Sequence, residues 1–140
     1  MTTYFFLLAI LPYFKGEVVP IEGFYILAPE YSAYTVSLEP LTVGTWLEIT
    51  TQVPLEQQRE MGKHLELIYN YQGFQEALWF RGKAIIHEKG GPFGHCCGPI
   101  KHHRKVEVVE VFEFSSKPVK AFLKKHPQYV PPPGWEPIRF

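Results

Sequence analysis

Short apolar and aromatic runs, most of them ended by a proline or a glycine, constrain the fold of this 140-residue chain more than any other feature. The clearest run, Lys105–Phe114, alternates Val with Glu, which is typical of a β-strand with one covered face. Its doubled Val108-Val109 shifts the alternation and predicts a bulge or a change of covered face. The chain is therefore expected to be rich in strand.

Other runs share this character and are also predicted to be strands, because each is short and rich in apolar, aromatic or β-branched residues. The first of them is continuously apolar, which favours a buried central strand. It has only eight consecutive apolar residues, so it is too short for a membrane span, and it lacks the marks of a cleaved signal. We therefore expect no membrane partner. The predicted strands are 3–11, 24–28, 33–38, 45–51 and 77–87.

Two segments have helical periodicity. Between Pro54 and about Tyr71, Met61, Leu65 and Ile68 recur at positions i, i+4 and i+7, which predicts one amphipathic helix. A second, shorter helix is predicted after Ser115-Ser116-Lys117-Pro118. Its apolar face would comprise Val119, Phe122 and Leu123, and its end would fall at His126-Pro127.

These elements predict an α+β fold: a twisted, mainly antiparallel sheet of about five to seven strands, with one main helix packed on it. Residues 1–126 are expected to form a single compact domain that ends with the short C-terminal helix. Residues 127–140 form a proline-rich and aromatic tail, which proline excludes from helix and from a central strand.

The acidic residues are unusual because all fourteen are Glu, and Asn70 is the only Asn. Few amides and thirteen prolines are typical of a thermophile's protein.

The net charge differs between the two halves of the sequence. Residues 1–80 hold three bases and nine Glu, a net charge of −6, whereas residues 81–140 hold eleven bases and five Glu, a net charge of +6. Such a split can join two halves of one domain, or it can steer a charged partner.

The loop 94–105 contains histidine and cysteine, the usual zinc ligands. A site could be assembled from one cysteine and three histidines, but the ligands are adjacent rather than spaced in pairs, so their side chains tend to diverge. No metal or other cofactor is therefore expected, and zinc remains the alternative. The candidate ligands are His95, Cys96, Cys97, His102 and His103.

The same loop ends in a dense basic run that could contact an acidic protein surface or phosphates. It could equally be a solvated loop that balances the acidic half. The aromatic residues are not interleaved with the bases, so nucleic-acid binding is open rather than favoured. The residues of the run are Lys101, His102, His103, Arg104 and Lys105.

In the tail, Pro131-Pro132-Pro133 pre-extends the backbone, which lowers the ordering cost of docking. Trp135, Arg139 and Phe140 follow, and their residue types are enriched at binding hot spots. The tail could instead fold back over its own core. Both interpretations remain open.

An enzyme is not expected. The absence of Asp removes the usual partner from a catalytic triad, and no P-loop or dinucleotide-binding glycine pattern is present. The residues point to a protein that binds another macromolecule.

The whole chain resembles the RNA-polymerase-binding transcription inhibitors made by Thermus bacteriophages. The resemblance rests on the 16.2 kDa size, the Asp-free composition and the opening Met1-Thr2-Thr3-Tyr4-Phe5-Phe6. It implies a phage protein in the cytoplasm of an infected bacterium. Its implied partners are the β flap of the host RNA polymerase and the promoter-recognition region of the primary sigma factor. It also implies host takeover by inhibition of host promoters, together with antitermination.

Overall fold

β-branched and aromatic residues fill the segments that form strands in the computed structural model, which describes residues 17–29, 31–39, 45–70, 73–94 and 102–134. Six strands and two helices lie within these ranges, so the α+β expectation is confirmed. A single 3₁₀ turn, Pro127–Tyr129, follows the second helix. The elements are β1 Val18–Ala28, β2 Tyr31–Thr35, β3 Thr45–Ile49, α1 Leu55–Lys63, β4 Glu66–Asn70, β5 Gly73–His87, β6 Arg104–Ser115 and α2 Lys117–Lys125.

The strand pairings close a ring of five strands. β1 pairs with both β2 and β5, β5 pairs with β6, and β6 pairs with β3. β3 returns to β2 through the residue pair Ala33–Trp46, which completes the ring. β4 extends the sheet by pairing with the start of β5. The β3–β6 pair is parallel and the other pairings are antiparallel, so the sheet is mixed.

β6 contains two register shifts against β5, one between Lys83 and Ala84 and one between Arg81 and Gly82. Val109 and Phe112 are the extra residues of β6 at these two points. The first shift falls at the doubled valine, where the sequence predicts a bulge. Each bulge inserts one extra residue, so the alternation of inward-facing and outward-facing side chains along β6 shifts by one position there.

Two hydrophobic clusters lie on opposite faces of the strands, because neighbouring strand residues point in opposite directions. The inner cluster fills the ring and includes Leu47, Leu78 and Phe80, with Met61 of α1. The outer cluster includes Trp46 and Ala77, the sequence neighbours of Leu47 and Leu78, and is covered by α2. α1 therefore belongs to the inner cluster and α2 to the outer one.

The first predicted helix is too long. α1 ends at Lys63, and Ile68 lies in β4, where it is buried in the outer cluster. Strands β4 and β5 form a hairpin in which Asn70 pairs with Gly73, whose φ of +99° is a conformation that favours glycine. The spacing of Met61, Leu65 and Ile68 fits a helix, but hairpin pairing determines the structure after Lys63.

The second predicted helix is confirmed as α2. Pro118 lies in its first turn, Val119 is fully buried, and Phe122 and Leu123 pack against the outer cluster. Ser115 Oγ accepts a hydrogen bond from the Lys117 backbone N–H at 3.1 Å, so Ser115 helps to start the helix.

The predicted strand 3–11 lies outside the described residues. Within the part of the chain that the structure describes, neither helix has the length and apolarity needed to cross a membrane.

Candidate partner-binding surfaces

The basic run 101–105 does not form one exposed surface. Lys101 lies outside the described residues, and His102 is completely buried. The His102 ring packs against Trp46, with 5.3 Å between ring centroids. Its backbone forms a two-way bridge with Phe93, with N···O distances of 2.8 and 3.0 Å. His102 thus packs where the two described ends of loop 88–103 meet, and its ring is not exposed.

Lys105 is also turned into the fold, with 19% of its side chain exposed. Its ammonium lies 3.5 Å from a Glu48 carboxylate oxygen and 3.6 Å from one of Glu107. The same nitrogen lies 5.2 Å from the centroid of the Phe93 ring. Because Phe93 belongs to the loop and Lys105 to β6, these contacts fasten the loop to the outer face of the sheet.

Two members of the run remain at the surface, His103 and Arg104. An Arg104 guanidinium nitrogen lies 3.4 Å from a Glu88 carboxylate oxygen at the other end of the loop. The adjacent His102 and His103 differ completely in exposure, as expected for neighbours that point apart. Their side chains therefore do not converge on one point.

His87 Nε2 contacts a Glu107 carboxylate oxygen on the same outer face, and the Lys105 ammonium also contacts Glu107. Trp46 Nε1 donates to Glu48 at 3.2 Å, so both carboxylates next to Lys105 have further partners. The arrangement is a polar network across β3, β6 and β5. This network has a structural role in positioning the loop, because Lys105 contacts Phe93 and Trp46 contacts His102.

Metal binding was considered for His95, Cys96 and Cys97 together with His102 and His103. The first three lie outside the described residues. Within the ranges that the structure describes, no group of three or more His, Cys, Asp or Glu is close enough to hold a metal ion.

The tail begins by folding back on its own domain. Tyr129 packs against the outer cluster, and its ring lies 5.3 Å from that of Phe122 in α2. The His126 ring joins the stack with its centroid 4.4 Å from that of Phe122, and its Nδ1 lies 3.1 Å from a Glu39 carboxylate oxygen. The predicted anchors Trp135, Arg139 and Phe140 lie outside the described residues.

The outer surface of β5 and β6 holds an exposed aromatic residue that we did not select from the sequence. Phe112 is 50% exposed and lies at the second bulge of β6. The Lys83 ammonium lies 5.7 Å from the centroid of its ring. Arg81 and Glu113 form an ion pair beside it at 3.4 Å. We call Phe112, Lys83, Arg81, Glu110 and Glu113 the bulge surface.

The bulges explain this surface. Interior positions of β6 are Val106, Val108, Val111 and Phe114, so the spacing widens from two residues to three after Val108. The extra residue Phe112 is thereby placed outside instead of in the core. Gln57 of α1 donates from Nε2 to the Val111 carbonyl oxygen at 3.0 Å, which satisfies a backbone group beside the bulge. The sequence signal was present, because Val111-Phe112 and Phe114 break strict alternation.

Two tyrosines of the sheet have altered acidity. Burial raises the pKa of Tyr25 above its usual value, a hydrogen bond with Ser32 lowers it, and the Glu76 charge raises it. Burial is also the main cause of the raised pKa of Tyr34, followed by the Glu22 charge. The Tyr34 hydroxyl donates to the Glu22 carbonyl oxygen at 2.6 Å, a bond that requires the protonated form.

Comparisons of this chain with protein-family models, with curated proteins and with solved structures gave no match.

Proposed function

We propose that this chain is a protein-binding regulator of bacterial transcription that acts on RNA polymerase. The observation that carries the proposal is the bulge surface: a half-exposed Phe112 surrounded by charged side chains. An apolar centre within a polar rim is the usual anatomy of a protein–protein interface. A bulge that turns an aromatic residue outward is a typical functional use of such an irregularity.

The partner follows from the whole-chain resemblance to phage transcription inhibitors. On that basis the chain binds the β flap of the polymerase and the promoter-recognition region of the primary sigma factor. It inhibits host promoters and favours antitermination, in the cytoplasm of an infected thermophilic bacterium. The opposite charges of the two halves of the chain, −6 and +6, are consistent with contacts to two surfaces of different sign.

A direct test uses purified polymerase core, its isolated β flap domain and the primary sigma factor from a Thermus host, with the immobilised 140-residue chain. We expect binding to the flap and to sigma, and strong loss of both in Phe112→Ser. Tyr69→Ser is the matched control, because Tyr69 is a 40% exposed aromatic residue of β4 and pairs with Phe74, at the opposite end of β5 from Lys83. Absence of binding by the unchanged chain would reject the proposal. Equal losses in both variants would reject the assignment to Phe112.

The alternative is a nucleic-acid-binding or zinc-binding protein centred on loop 94–105. One observation, the topology of the sheet, favours nucleic acid. The strands of the ring follow the order β1-β2-β3-β6-β5, and β3 and β6 are parallel. In the sequence, α1 follows β3 and precedes the later strands. This is the connectivity of the five-stranded OB barrel, a fold that commonly binds oligonucleotides. Fold connectivity alone assigns no function.

Metal analysis of the purified chain, with Cys96→Ser and Cys97→Ser variants, tests the zinc version.

A further inference from the structure

A row of lysines occupies the outer face of α2. Lys117, Lys120 and Lys124 recur at positions i, i+3 and i+7, and all three are exposed, as is Lys125 beside them. The opposite face holds Val119, Phe122 and Leu123 and packs on the outer cluster. Because the inner face is anchored, the lysine face is held outward in a fixed orientation. We call Lys117, Lys120, Lys124 and Lys125 the lysine face.

The charges on this face are largely unbalanced. Lys120 lies 3.4 Å from a Glu66 carboxylate oxygen, with 58% of its side chain exposed. Within the described part of the chain, Lys117, Lys124 and Lys125 have no ion pair. Lys117 even lies in the first turn of α2, which contains no acidic residue, although the helix dipole favours acids there. Lys124 and Lys125 lie in the last turn, where the dipole favours bases, so helix stability accounts for those two lysines but not for Lys117.

We infer that the lysine face binds the phosphate backbone of a nucleic acid without reading its sequence. Lysine is depleted at protein–protein interfaces, which rely on aromatic and arginine anchors, and the outward positions of α2 carry lysines around the small Ala121. Lysine acts as a mobile point charge that suits successive phosphates, whereas planar carboxylates are bound best by arginine. Between Lys117 and Lys124 the helix rises about 10 Å. One strand of a duplex presents about three phosphates over that length.

The lysine face lies on α2 and the bulge surface on β5 and β6, so a failure of duplex binding would leave the proposed protein-binding function untouched. The two activities are distinguished by their probes: polymerase subunits for the bulge surface, and protein-free DNA for the lysine face.

The test measures fluorescence anisotropy of a short labelled duplex of arbitrary sequence against the 140-residue chain at several salt concentrations. We expect a linear fall of log K with log salt, since each neutralised phosphate releases counterions. Lys117→Gln with Lys124→Gln should weaken binding at low salt by about tenfold or more and lower the salt slope by about two. Glutamine keeps the helix propensity of lysine, so α2 should stay folded.

The matched control is Arg59→Gln with Lys63→Gln, which removes the same charge from two exposed bases of α1. It should leave the salt slope unchanged. Equal effects of the two double variants would overturn the inference in favour of a general charge effect, and absence of duplex binding at low salt would overturn it outright. A poly-glutamate peptide provides the remaining arm. If the α2 variant lost peptide binding but kept duplex binding, the face would bind an acidic protein instead. Circular dichroism and the thermal midpoint confirm that each variant is folded.

Discussion

Gly82 of β5 lies directly against the backbone of Glu110 in β6, so closely that a Cβ at position 82 would stand 2.0 Å from the Glu110 carbonyl oxygen. No side chain can occupy that space, and the obstructing atom is backbone, which cannot swing aside. Gly82 also lies between the two register shifts of the β5–β6 pair. The close approach and the bulges are therefore parts of one arrangement.

Gly82→Ala is expected to lower the free energy of unfolding by about 2–3 kcal/mol, because the bulged pairing must shift to admit a methyl group. Chemical denaturation measures the change. Gly62→Ala is the control: it is a helical glycine with no heavy atom near its Cβ position, and it should stabilise the chain by about 0.5–1 kcal/mol. A neutral Gly82→Ala would contradict the described contact.

The two phenylalanines Phe80 and Phe112 should respond differently to truncation. Phe80 is 1% exposed within the inner cluster, so Phe80→Ala should cost about 3–5 kcal/mol of unfolding free energy. Phe112→Ala should cost less than about 1 kcal/mol, since half of the side chain is already in water. If Phe112→Ala lowered the free energy of unfolding as much as Phe80→Ala, Phe112 would belong to the core and the bulge surface would be wrong.

Stability should decline at alkaline pH because of Tyr25 and Tyr34. Both have a folded-state pKa above the usual 10.0, so the folded chain holds these protons more tightly than the unfolded chain. Their contribution is complete below pH 10.0 and is lost as the pH rises from there through the higher folded pKa. Unfolding free energy measured across this range should fall less steeply in Tyr25→Phe and in Tyr34→Phe. Identical slopes in the variants and the original chain would refute the assignment.

Lys105 should control the stability of loop 88–103 at its base. Lys105→Met keeps the apolar stem but removes the charge that contacts Glu48, Glu107 and Phe93. We expect faster hydrogen exchange at the Phe93 and His102 amides, whose mutual hydrogen bonds close the loop. Arg104→Met is the control, because its ion pair with Glu88 is exposed and contributes little. Unchanged exchange in Lys105→Met would show that the backbone bridge alone holds the loop.

Two truncations separate the structural part of the tail from the rest. Ending the chain before Pro131 keeps Tyr129 on the outer cluster, so the thermal midpoint should hardly change. Ending it before Pro127 removes Tyr129 from Phe122 and should cost about 1–2 kcal/mol of unfolding free energy. Weaker polymerase binding by the first truncation would make the distal tail an anchor, and unchanged binding would exclude that role.

Local sequence signals predicted much of the fold. The apolar face Val119, Phe122 and Leu123 predicted α2, and the doubled Val108-Val109 predicted a bulge, because both features depend only on neighbouring residues. Ile68 was misplaced because Leu65 and Ile68 would share one face of a helix, whereas in the structure Leu65 packs in the inner cluster and Ile68 in the outer one. Pairing with β5 determines that residues 66–70 form a strand, and the spacing of apolar residues contains no information about that pairing.

The candidate site was harder to predict, because a basic residue in a strand can point outward or into packed surroundings. Five consecutive bases and histidines looked like one patch, yet His102 is buried and Lys105 is enclosed by two carboxylates. Exposure alternates along a strand, and contacts with Trp46 and Phe93, which lie on other parts of the fold, decide which of these side chains are enclosed. The lysine face of α2 was visible as a periodic pattern of the same kind that revealed its apolar face.

The parallel pair of β3 and β6 sets when this chain can finish folding during its synthesis. Thr45 pairs with Arg104, so the ring cannot close until β6 has left the ribosome. Until then β5 can pair with β1, but neither β3 nor β5 has its β6 neighbour, and their apolar edges stay open to misassociation. Ring closure thus waits for the synthesis of β6, and chaperone demand should be highest for chains whose synthesis has not yet passed β6.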